Sequence, residues 1–261
     1  GSVTVNADNS GQTVTQGSGS AVPDKAPVIT QRGSSAETSN TITINASENA
    51  TANVTISDVN INTSDAAVST NGKGNVNIEL DGTNTLKSGR EHASLEKSKD
   101  GKLTITDENG NGKLIATGGD YGAGIGGGSK GNGSNITITG GEVTAAGGTT
   151  GAGIGGGLQK NGEKITVSGD AALKVQGGPA DTRDGAGAGI GNGGSHNGNY
   201  NSWSLITVNG AETEPDTSNL TTGKIEYYAP GADMTKDEPT NTILGSEQPA
   251  SPGETAAPVE Y

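Results

Sequence analysis

A chain of 261 residues with 46 Gly, one Trp, no Phe, no Cys and 28% hydrophobic residues has too few bulky side chains for an ordinary globular core. Zero Cys excludes a disulfide scaffold and thiolate-bound zinc. A net charge of −13 leaves no basic patch to displace counterions, which argues against nucleic acid and anionic membrane surfaces, and no apolar run is long enough for a membrane-spanning helix.

Residues 1–50 hold two alternating runs, Val3-Thr-Val5 and Thr41-Ile-Thr-Ile44, and a Pro23/Pro27 stretch. They are expected to form an N-terminal cap and a first turn, because terminal repeats must cover an exposed core. Gly1-Ser2 reads as a cloning scar, so the chain is expected to be a segment of a longer exported protein, and the lack of a signal peptide carries no weight.

Residues 51–228 repeat. An aliphatic-polar-aliphatic signature starts at Val54, Val76, Leu103, Ile136, Ile165 and Ile206, at spacings of 22, 27, 33, 29 and 41 residues. A second motif, GAGIGGG, opens at Gly122 and Gly151 and returns as GAGIGNG at Gly187. Period two sends Ile136 and Ile138 to one face and Thr137 and Thr139 to the other. Gly140-Gly141 permits a sharp bend, and Val143 and Ala145 supply a second inward pair. One such turn cannot satisfy its own backbone. Stacking turns at about 4.8 Å does so, and predicts columns of Ile125, Ile154 and Ile190 and of Ala123, Ala152 and Ala188.

The pattern predicts an all-β chain: a right-handed parallel β-helix, or β-solenoid, of about six three-strand turns with atypical caps. Frequent Gly, at about 1 kcal/mol each, disfavours helices, and the aromatic signatures of a propeller are missing. Lys224-Ile-Glu-Tyr-Tyr228 is expected to close the far end. Residues 229–261, rich in Pro, Glu, Asp, Thr and Ser without period, read as linker or disordered tail.

The GGxxGAGIGGG and NITITGGxVTA blocks resemble the β-helical repeat regions of large secreted or cell-wall-attached proteins of clostridial-type Gram-positive gut bacteria. The segment from Asn53 to Ser69 is similar to the start of a carbohydrate-binding β-helix family related in fold to pectate lyases, one of whose members binds acidic plant polysaccharide with calcium. The resemblance spans residues 40–210. It implies an extracellular, cell-surface location and a glycan or host-glycoprotein partner, with mucin and immunoglobulin among the candidates.

No catalytic constellation is expected. Of the outward positions on the signature strand only Glu79 ionises, His92 and His196 read as lone loop residues, and Asp181-Thr-Arg-Asp184 has no matching acids on a neighbouring turn. Asp107, Asn109 and Asn111 match the opening of a calcium loop, with Gly112 at its turn. Gly118 stands where that loop needs a glutamate, so a polar β-turn is favoured and Ca²⁺ is at most a weak candidate. Outward Thr columns suit an ice-ordering face, but β-propensity explains them equally well. The glycine motifs lack the helix and the Lys-Ser/Thr of a phosphate loop.

The candidate ligand site is the excursion after Gly191, which carries His196, Tyr200 and Trp203. Aromatic faces beside Asn, Ser and His suit sugar or protein, whereas Trp203 plugging the core end is the structural alternative. The expected function is a non-enzymatic adhesin or binding segment, monomeric as isolated and without membrane insertion. A purely structural stalk and a polysaccharide lyase or hydrolase are the alternatives.

Overall fold

The computed structural model describes residues 1–33, 36–97, 100–198 and 205–247. Among them every regular element is a strand, and no helix is long and apolar enough to cross a membrane.

The strands fall into three large sheets. The nine-stranded first sheet runs Ile190–Gly191, Ile154–Gly155, Ile125–Gly126, Leu95–Lys97, Val68–Asn71, Ile42–Ala46, Val3–Asp8, Gly11–Gln16, Val22–Pro23. The six-stranded second sheet runs Ile165–Val167, Ile136–Ile138, Leu103–Thr106, Asn75–Asp81, Thr51–Ser57, Val28–Thr30. The seven-stranded third sheet runs Asn241–Leu244, Lys224–Tyr228, Ala172–Gln176, Glu142–Ala146, Lys113–Thr117, Thr83–Lys87, Asn60–Asn62. From Ile42 to Gln176 the chain visits the first, second and third sheet in that order, pass after pass, and each strand pairs in parallel with its counterpart one pass away. Among the described residues antiparallel pairing is confined to the ends and to one excursion: Val3–Asp8 with Gly11–Gln16, Gly11–Gln16 with Val22–Pro23, Lys224–Tyr228 with Asn241–Leu244, Ser195–Asn197 with Ile206–Val208, and the single bridge from Gly191 to Glu212.

Register explains the core. On the first sheet Val3, Ile42, Val68, Leu95, Ile125, Ile154 and Ile190 lie one on another. On the second, Ala52, Val76, Leu103, Ile136 and Ile165 form one column and Val54, Ile78, Ile105, Ile138 and Val167 the next. Val54 therefore faces Ile78, not Val76. The third sheet stacks Leu86, Ala116, Ala145, Val175 and Tyr227. These side chains are almost all fully buried in one continuous cluster, so small aliphatics replace the missing aromatics by repetition. Inward positions also hold polar residues: Thr70 and Lys97 lie in register with Ile44 on the first sheet, and Asn84 is inward on the third. Asn84, aligned with Leu114, is 0% exposed, and it survives there because Val59 N donates to its Oδ1 while its Nδ2 donates to the Asp81 and Lys113 carbonyls.

Two expectations change. Ile206-Thr-Val208 does not stack on Ile165–Val167: it pairs antiparallel with Ser195–Asn197, Ile206 is 64% exposed, and Thr166 bridges Asp216 instead. Within the span read as tail, Asn241–Leu244 is a strand on the third sheet, held through Ile225 opposite Ile243.

At the glycine corners the backbones of successive passes come into contact. A Cβ on Gly151 would lie 2.0 Å from the Gly122 carbonyl oxygen, and one on Gly122 2.1 Å from that of His92. The glycines at 126, 155 and 191 adopt φ of 134°, 139° and 139°, a conformation closed to other residues at ordinary cost. The motif is thus fixed by packing.

Candidate functional site

The excursion leaves the parallel stack after Ile190–Gly191 and returns through Glu212, whose carboxylate accepts the Gly189 and Ile190 N–H groups at 2.6 and 2.9 Å. Its stem is the ladder Ser195–Asn197 against Ile206–Val208. Tyr200 and Trp203 lie outside the described residues. His196 is described, and it is not a lone residue. Its Nδ1 sits 2.8 Å from Asp184 Oδ1, with side chains only 9% and 6% exposed. Gln159 Nε2, one pass away, donates to the same Asp184 oxygen at 3.1 Å. Asp181 Oδ1 accepts the N–H groups of Arg183 and Asp184, each at 2.7 Å, closing the tight turn that aims Asp184 inward.

With Nδ1 committed to a buried carboxylate, the imidazole pins the stem of the excursion to the stack. Sequence reasoning missed Asp184 and Gln159. They are 12 and 37 residues from His196, and only stacking brings them together.

The proposed calcium loop is closed by its own backbone. Asp107 Oδ1 accepts Asn111 N–H at 3.2 Å and Oδ2 accepts Gly112 N–H at 3.0 Å. Asn111 Nδ2 donates to Asp81 Oδ1 at 2.9 Å, and Asn109 is exposed. Asp81 is held below the usual carboxylate range by its hydrogen bonds from Asn111 and Ser57. Among the described residues no group of three or more His, Cys, Asp or Glu side chains converges as a metal site. The loop is an Asp-closed turn.

His92 also has a partner: its Nδ1 lies 3.0 Å from Glu96 Oε2, which accepts Ala93 N–H at 3.1 Å as well. The outer faces are polar and ladder-like. Asn45 Nδ2 donates to Asn6 Oδ1 at 2.8 Å, Asn71 Nδ2 to Asn45 Oδ1 at 3.2 Å, and Asn77 Nδ2 to Asn53 Oδ1 at 2.9 Å. Glu79, the one ionisable outward residue of its column, is occupied by Thr106 Oγ1 and by Glu108 N–H.

Comparison with known proteins gives no relative: no family model, no curated protein and no solved structure matches the chain.

Proposed function

We propose that this chain is a non-enzymatic binding segment of a secreted or cell-surface bacterial protein, built as a right-handed parallel β-solenoid that presents its excursion to a glycan or host glycoprotein. The supporting observation is the contrast between an in-register stack, whose inward residues and glycines are committed to packing, and one excursion pinned at its stem by Asp184, His196 and Gln159. The sequence between the two stem strands contains Tyr200 and Trp203, the one Trp of the sequence. Aromatic side chains on a fixed stem supply stacking area at low entropic cost. The surface location rests on the sequence resemblance, and mucin and immunoglobulin are the partners it suggests.

The test is binding of the whole chain to immobilised mucin, to secretory and serum immunoglobulin and to a glycan panel, with Trp203→Ala alongside. The reading predicts capture by at least one of them and a loss of about tenfold or more in the variant, the usual cost of truncating an aromatic anchor. A silent panel would leave a structural stalk, a role consistent with the amide and hydroxyl ladders of the outer faces.

A further inference from the structure

Aligning the first sheet by its register exposes a change of chemistry. Leu95 pairs with Ile125 and Glu96 with Gly126, so the segment His92-Ala-Ser-Leu-Glu-Lys97 overlies Gly122-Ala-Gly-Ile-Gly-Gly127. The pass that opens at Gly151 keeps all of these glycines, and the pass that opens at Gly187 keeps them except for Asn192 in place of Gly127. In the His92 pass three of those positions carry His92, Glu96 and Lys97. Because the overlying pass has no side chains there, an open cleft of about 520 Å³ remains, lined by Glu91, His92, Glu96, Lys97, Lys130 and Asn132 among others.

The cleft is built. Glu91 and Lys130 hold left-handed backbone at φ 75° and 60°, and Ser129 N–H donates to the Glu91 carbonyl at 2.7 Å, tying its two loops together. A Cβ on Gly128 would fall 2.6 Å from Glu96 Oε2, so glycine at that position leaves the carboxylate uncovered. Glu96 fixes His92 through Nδ1, and Nε2 is the ring nitrogen that remains for a ligand. Lys97 is 5% exposed, its amine donates to the Asp100 carbonyl at 3.3 Å, and burial pulls it below the ordinary lysine range.

We propose that this cleft binds the vicinal hydroxyls of an uncharged sugar. The carboxylates of Glu91 and Glu96 balance the ammonium groups of Lys97 and Lys130, so an ion gains little net field there. A sugar hydroxyl both donates and accepts, and the lining interleaves acceptors (Glu91, Glu96) with donors (Lys97, Lys130) and groups that do either (His92, Asn132). Among the described residues no Phe, Tyr or Trp ring lines the cleft, so binding is weak, with a Kd of roughly millimolar. The choice of ligand class rests on reading the chain as a glycan binder, but the site is separate from the excursion.

The test is a ¹H–¹⁵N NMR titration of the whole chain with galactose, N-acetylglucosamine and mannose, and with galacturonic acid as the charged counterpart. A neutral sugar is expected to shift the amides of residues 91–97 and 128–132, with about tenfold weaker binding in His92→Ala, a smaller loss in the exposed variant Lys130→Ala, and no change in Trp203→Ala. Melting curves report whether each variant folds, and Lys130→Ala carries the test if His92→Ala does not. Shifts confined to the excursion and abolished by Trp203→Ala would overturn the cleft while sparing the binding-segment reading. Preference for galacturonic acid, no shift with any sugar, or unchanged affinity in both cleft variants would overturn the proposal.

Discussion

Along the glycine motifs that open at Gly122, Gly151 and Gly187 the passes are held together by backbone. Gly124 N–H donates to Ala152, Gly127 to Gly155, Gly153 to Ala188 and Gly156 to Gly191, all at 2.9 to 3.0 Å, and the buried side chains within the motifs are those of Ala and Ile. Between Ser195 and Val208 the balance reverses. There the chain leaves the stack on a short antiparallel stem and is held by the side chains of Asp184, His196 and Gln159. The two regions differ in what holds them: a position contacted from both sides by its own repeats has no freedom to change, whereas one excursion can vary without disturbing them.

Gly151→Val should separate the regions most sharply. Its new Cβ would meet the Gly122 carbonyl at 2.0 Å, so two backbones must part. A loss above about 4 kcal/mol in denaturant unfolding is expected. A loss below about 1 kcal/mol would mean that the passes do not touch there.

Asp184→Asn acts on the excursion instead. It weakens the buried bond to His196, with an expected cost of about 2 kcal/mol that is local. Hydrogen exchange should speed up at Ser195–Asn197 and Ile206–Val208 and stay unchanged at Ile136–Ile138. Uniform acceleration would show that the excursion is part of the stack's cooperative unit.

Where the regions meet, Tyr227 stacks on Val175 near Glu212. Burial, with the charges of Glu212 and Glu214, pushes its phenol far above the ordinary tyrosine value of 10.0. A raised acid contributes stability that is complete below the unfolded pKa and lost as pH rises through the folded one. Thermal melts should therefore be flat across neutral pH and fall only above pH 10.0, and Tyr227→Phe should reduce that fall. An identical alkaline profile in the variant would place the titration elsewhere. This is the smallest of the expected effects, confined to alkaline solution.

The sequence made the strands legible but not all of their partners. Ile165-Thr-Val167 and Ile206-Thr-Val208 are the same tripeptide, yet one lies in the parallel core and the other is an exposed stem. Alternation encodes a strand with two faces, and the partner is chosen by what the intervening loop allows. The columns through Ile125, Ile154 and Ile190 were legible because the motif around them repeats with little change. The partners of both histidines were not. Asp184 reaches His196 only across a corner, and Glu96 counts as a partner of His92 only once the intervening turn is known. One signal was present: at His92, Glu96 and Lys97 the glycine pattern gives way to ionisable side chains, and a site emerges where the packing demand for glycine ends.

Because the chain has no Cys, its one-pass parallel register can be tested directly by cross-linking. Cys pairs placed at Thr104 with Thr137, and at Thr137 with Thr166, face each other on adjacent passes of the second sheet. Neighbouring strands lie about 4.8 Å apart, within disulfide range, whereas two passes lie about 9.6 Å apart and beyond it. Mild oxidation should close both one-pass pairs and leave the pair at Thr104 with Thr166 open. Closure of the two-pass pair, with the one-pass pairs unreacted, would contradict the stack and the functional reading built on it.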